Sequence, residues 1–192
     1  PGAATAEVFF WAPLVVYSWK PVAQVLTERK VTGTREGVLW LEDLKTLVDW
    51  VVRGTRWADL GLPALPGRVV VLATDPTRSH SGLGYAVLAA SALRGGQAPD
   101  RGSLEGLLPS LRSLFARQGV LLGGSKDLFD QWARTGMEVS PLAVGYENQI
   151  VELARTRPEA FARIRDSLAV LYPDPPLWSA HAFVALSGPG RR

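Results

Sequence analysis

Val69-Val-Val-Leu-Ala73 is an unbroken apolar run of strand length, set between two segments of helical spacing. A strand with one wet face alternates apolar and polar residues. One that is apolar throughout is buried on both faces, which requires a sheet covered by helices on each side. The run is therefore expected to be a central strand of a mostly parallel sheet.

The rest of the chain fits that frame. Val8-Phe-Phe-Trp-Ala-Pro-Leu-Val-Val-Tyr17 is rich in β-branched and aromatic residues and reads as a strand interrupted by Pro13. A helix follows near Val22–Arg29, with Pro21 suited to its first turn. Leu41, Leu44, Leu47, Val48 and Val51 keep helical spacing up to Gly54. Further helices are predicted at Ser81–Leu93, around Leu104–Phe115 despite Pro109, and after Ser125 as far as Gly136. Two more are predicted near Glu147–Arg155 and Pro158–Ala169. Gly119–Leu122, Glu138–Tyr146 and Ala182–Leu186 read as strands. The class is α/β, and 192 residues suffice for one large domain or two small lobes.

Composition removes several kinds of chemistry. The chain has no cysteine, which excludes disulfides, thiolate metal sites and cysteine nucleophiles. Two histidines make a histidine-rich metal site a poor expectation, and neither a metal nor a cofactor is predicted. Net charge is +3, but the basic residues are scattered and do not interleave with aromatics, so nucleic acid is not an expected partner. The mild positive balance favours small anionic or polar solutes instead. No basic start followed by an apolar run opens the chain, so an export signal is expected outside it.

In α/β sheets ligands gather beyond the carboxyl ends of the strands, where loops pass into helix N-termini. Thr74-Asp-Pro-Thr-Arg-Ser-His-Ser-Gly82 is such a loop. Thr74, Thr77, Ser79 and Ser81 supply hydroxyls, and Gly82 lets a ligand approach the first helical turn, whose free N–H groups attract anions. The alternative is a plain serine cap with no ligand. Gly123-Gly-Ser125 repeats the arrangement, with the same two readings for Ser125. Tyr146, directly after a strand, could stack on or hydrogen-bond a ligand. Catalytic motifs are absent. Ser79-His80-Ser81 lacks the Gly-x-Ser-x-Gly elbow, Gly82-Leu-Gly-Tyr85 falls short of a dinucleotide loop, and no residue is assigned a catalytic role. His181 reads as structural, or as a surface residue.

Ser18-Trp-Lys-Pro21, Trp57-Ala-Asp-Leu-Gly61, the Thr74–Gly82 loop and Val144-Gly-Tyr-Glu-Asn-Gln149 together resemble bacterial extracellular solute-binding proteins of the type II periplasmic-binding-protein superfamily. The resemblance implies two α/β lobes joined by crossover strands, with the ligand between them. Leu14–Trp19 would be the first crossover and Val139–Tyr146 the return. Residues 20–143 would form the second lobe, and 1–19 with 144–192 a partial first lobe, exposing an apolar patch or burying it in a homodimer. It implies a non-enzymatic, extracytoplasmic binding protein or module, periplasmic or anchored at the cell surface as in a lipoprotein. An ABC-importer membrane subunit would be its partner. Ser18 joins Thr74, Thr77, Ser79, Ser81, Gly82, Ser125 and Tyr146 as an implied ligand contact. The same fold serves as the effector-binding domain of cytoplasmic transcription regulators, which an upstream helix-turn-helix would mark. A serine hydrolase acting through Ser79 or Ser81 is a third reading.

Overall fold

The chain's first strand, β1 (Thr5–Trp19), is fifteen residues long and changes partners half-way. The computed structural model describes residues 5–185. From Leu14 onward β1 lies inside a sheet, between β4 (Ala143–Tyr146) and β5 (Leu168–Pro173), antiparallel to both. Its opening half instead pairs with β6 (Trp178–Ala185) in a two-stranded ribbon that leaves the sheet. Pro13 marks the handover without breaking the strand. It has no N–H to give, and Leu14 N–H resumes pairing by donating to Leu177 O at 2.8 Å.

The sheet continues from β5 to β3 (Val38–Leu41), parallel to it, and to β2 (Thr32–Arg35), the hairpin partner of β3. Glu36 and Gly37 both have positive φ in that hairpin's turn. A two-residue connection with this twist needs such geometry, and glycine adopts it without strain. Beyond β4, Leu72 makes one parallel bridge to Ala143, with Leu72 N–H donating to Leu142 O and Val144 N–H to Leu72 O. The protein is thus mixed α/β, with six strands and seven helices among the described residues.

The expected mostly parallel pairing is corrected by the position of β1. Strands β3, β4, β5 and the Leu72 segment all run one way, but β1 runs against them in their midst, so most bonded pairs are antiparallel. Val69–Ala73 is not the centre; that place belongs to β5 and β1. The run lies outside β4, yet Val69, Val71 and Ala73 are buried. Its outer backbone edge is closed by a side chain, Gln118 Oε1 accepting from Ala73 N–H at 2.6 Å. An apolar run reports burial, and here a covered edge supplies it.

Helix α1 (Lys20–Glu28) packs on β1, β2 and β5, and α2 (Leu44–Arg53) starts on Asp43, which accepts from Thr46 N–H at 2.9 Å, and ends on left-handed Gly54. Next come α3 (His80–Leu93), α4 (Arg101–Ala116), which carries Pro109 inside it, and α5 (Ser125–Thr135). Helix α5 lays Phe129 and Trp132 against Tyr17 and Trp19 of β1, the two indoles stacked at 4.6 Å. The chain closes through α6 (Asn148–Thr156), α7 (Pro158–Ile164), β5 and β6. No helix among the described residues is long and apolar enough to cross a membrane.

Several expectations move. Gly119–Leu122 is a loop, with Val120 90% exposed, and Leu122 O accepts from Asp75 N–H in the loop that follows Ala73. The strand expected at Glu138–Tyr146 begins at Ala143, and the last helix stops at Ile164. Leu168–Pro173, which continues the apolar spacing of that helix in sequence, is strand β5 at the middle of the sheet. Leu41 ends β3 and precedes the helix. The boundary drawn at residue 143 does not follow the sheet, because β4 and β5 flank β1 within it. Leu186, placed in the last strand, lies outside the described residues. The ribbon exposes Val8, Phe9, Trp11, Trp178, Phe183 and Val184.

A Cβ at Gly145 would fall 2.5 Å from the Tyr17 ring and hydroxyl and 2.6 Å from Gln149 Oε1. Gly145→Ala is expected to destabilise the protein by about 1–3 kcal/mol in urea melts, as overpacking does. Gly106 lies in α4 with open space around it. Gly106→Ala should therefore stabilise by about 0.5–1 kcal/mol. Equal midpoints for the two variants would contradict the packing at β4.

Candidate functional site

The loop that leaves Ala73 is held by its own polar groups. Asp75 Oδ1 accepts from Thr77 N–H at 2.8 Å and from the Thr77 hydroxyl at 2.7 Å. These two bonds hold the Asp75 carboxyl below the usual range. Their contribution is present above the unfolded carboxylate value and is lost as pH falls through the lower folded one. Arg78 and Ser79 N–H then donate to Asp75 O, which folds the loop back to start α3.

Three hydroxyls line up at that start. The Ser81 hydroxyl lies 2.8 Å from Thr74 Oγ1 and 3.0 Å from Ser79 Oγ. Ser79 occupies the N-cap position, but its side chain makes no capping bond. Gly124, the N-cap of α5, has no side chain to make one. Both helices therefore present first-turn N–H groups without side-chain partners, each at the positive end of a helix dipole.

These two N-termini border a single cleft of about 560 Å³. Ser79, His80 and Ser81 line it from α3, Gly124 and Ser125 from α5, and Tyr146 from the end of β4. The ribbon closes another side with Phe9, Phe10 and the Ser179–Ala182 segment. Arg78 and His181 are part of the wall, and among the described residues no acidic side chain lines it. The His181 ring stacks on Phe10 at 4.1 Å, the two rings nearly parallel, and meets Tyr146 edge-on at 6.1 Å. Its Nε2 is buried without a hydrogen-bond partner. Burial pushes the Tyr146 phenol above its ordinary value, with the neighbouring Ser179 hydroxyl acting the other way. At neutral pH it is a hydrogen-bond donor.

Four of the sequence-predicted residues meet here: Ser79, Ser81, Ser125 and Tyr146. The other four lie off the cleft wall. Ser18 is fully buried within β1, its hydroxyl 3.4 Å from Pro141 O. Thr74 is buried beneath the wall and reaches it only through Ser81. Thr77 is bound to Asp75 on the exposed outside of the loop. Gly82 is buried because the chain passes so closely that a Cβ would sit 2.2 Å from Thr74 O. Its small size serves helix-to-loop packing.

Sequence reasoning missed the ribbon wall. Ser179 and His181 share one side of β6 by the period of two, a pattern visible in Trp-Ser-Ala-His-Ala-Phe, but nothing local says which side faces the helix starts. No hydrogen bond among the described residues joins His80 or His181 to a serine, and no group of three or more His, Asp or Glu side chains there is placed to hold a metal. No protein-family model and no curated protein sequence matches the chain.

The hydroxyl relay makes two serine variants differ. Ser81→Ala leaves buried Thr74 without its partner and should cost about 1–3 kcal/mol. Ser79→Ala removes no cap and should stay within about 0.5 kcal/mol of the unmodified protein. Chemical denaturation of both distinguishes this from a helix capped by Ser79, for which Ser79→Ala would cost about 1 kcal/mol.

Proposed function

We propose that this chain is a solute-binding unit of the type II periplasmic-binding-protein kind, which captures a small anionic or polar solute in the cleft and carries out no catalysis. The supporting observation is one arrangement: two helix N-termini, neither capped by a side chain, border a cleft that includes Arg78 and, among the described residues, no carboxylate. First-turn N–H groups and a guanidinium attract an anion, while the Ser79, Ser81 and Ser125 hydroxyls and the Tyr146 phenol can donate to its oxygens.

Under this reading the sheet is the second lobe, and the β1/β6 ribbon is the pair of crossover strands. The crossovers are then Thr5–Pro13 and Trp178–Ala185 in place of Leu14–Trp19 and Val139–Tyr146, because β6 pairs with the ribbon half of β1 while Leu14–Trp19 and β4 stay in the sheet. Closure of the lobes about the ribbon would bring Phe9, Phe10 and His181 over the solute. The setting proposed is extracytoplasmic, with delivery to a membrane importer subunit.

Calorimetric titration against inorganic oxyanions and small carboxylates tests the proposal. At least one is expected to bind, and Ser79→Ala/Ser81→Ala with Arg78→Gln should weaken it by about tenfold or more, since each hydrogen bond to a charged group contributes about 1.5–3 kcal/mol. Equal affinity in the folded variant, or no binding by the unmodified protein, refutes the assignment.

A further inference from the structure

A second concavity, of about 690 Å³, lies on the outer surface between α5, α6 and α7. Its floor is apolar, formed by Ala133 and Ala160 with the buried side chains of Leu153 and Ile164. Its rim carries Arg134, Arg157 and Arg163 against one carboxylate, Asp130. That carboxylate is already divided, one oxygen bonded to Lys126 at 2.8 Å and the other to Arg157. Arg134 and Arg163 have no acidic side chain within salt-bridge distance among the described residues.

The local sequence explains the convergence. Arg134 is in the last turn of α5, where a cation is favoured by the helix dipole. Arg157 ends α6 and opens α7, and Arg163 lies in the last turn of α7. Helix-end electrostatics explains one arginine at each helix end. It does not explain why two of them face one apolar-floored groove without a counter-charge. A lone ion there gains little, because exposed charge pairs in water contribute about 0–1 kcal/mol. A partner that also covers the floor removes water, gains apolar burial and strengthens each guanidinium–carboxylate contact.

We infer that the α5–α6–α7 groove docks an acidic segment of a partner protein, one that sets apolar side chains on the floor and carboxylates against Arg134 and Arg163. The site is separate from the solute cleft and does not depend on what that cleft binds. Fluorescence anisotropy with a short labelled glutamate-rich peptide carrying interspersed leucines tests it on the whole chain. Binding is expected at low salt, falling as salt rises. The same peptide with glutamine in place of glutamate should bind at least about tenfold more weakly, as should the unchanged peptide to Arg134→Glu/Arg163→Glu. If the double reversal fails to fold, the single variants Arg134→Gln and Arg163→Gln should each weaken binding while leaving the melting curve unchanged. No binding by the unmodified protein, equal binding by the folded variants, or equal binding of the glutamine peptide overturns the inference. So does adsorption to phosphatidylglycerol vesicles with no binding of the peptide.

Discussion

Strand β1 bonds to β5 on one edge and β4 on the other, and its Leu14–Trp19 stretch is buried on both faces. Each large apolar side chain buried in this way contributes about 1.5–3 kcal/mol. Much of the remaining architecture is set by this strand. It runs against its neighbours, so it turns a set of otherwise parallel strands into a mixed sheet. Its Tyr17 and Trp19 receive Trp132 of α5, and the Trp19 indole N–H donates to Ser140 O at 2.9 Å, which ties down the segment entering β4. The same strand then emerges to form the ribbon with β6.

The cleft follows from that path. Because β1 leaves the sheet beside the ends of β4 and the Val69–Ala73 segment, the ribbon stands next to the loops that start α3 and α5. Close packing of Gly82 on Thr74 O and the chain of hydroxyls from Thr74 to Ser79 fix the first turn of α3 from below. The hydroxyls bond to one another and leave the helix N–H groups free. A helix stabilised by its own cap would have spent them.

Charge is distributed by the same economy of position. Exposed ion pairs such as Lys45–Asp49 and Lys126–Asp130 sit one turn apart on helices and add only tenths of a kcal/mol, about 0.3–0.5 each. Arg35 is placed differently, between Glu42 and Asp174 and over the Trp40 ring at 5.3 Å, where it closes the outer hairpin onto the segment after β5. Arg134 and Arg163, by contrast, face the α5–α7 groove with no carboxylate within salt-bridge distance among the described residues.

The local code was legible wherever one short segment decides its own conformation. Pro21 at a first turn, the Gly54 and Gly136 stops, and the apolar face of α2 were readable from spacing, whereas the Asp43 cap was not singled out. So was the gathering of Ser79, Ser81, Ser125 and Tyr146, since loops after strands of one sheet end at one edge. Strand order was not legible. Val69–Ala73 and Leu168–Leu171 are both apolar enough to be central, and only the pairing of β1 with β5 decides between them. Whether Ser18 faces a ligand or Pro141, and whether His181 stacks on Phe10 in a cleft wall or lies on a surface, also depends on partners more than a hundred residues away. The chain's own periodicity determined which residues are buried. Long-range pairing alone determined what they are buried against, because hydrophobic burial is non-directional and hydrogen-bond register is not.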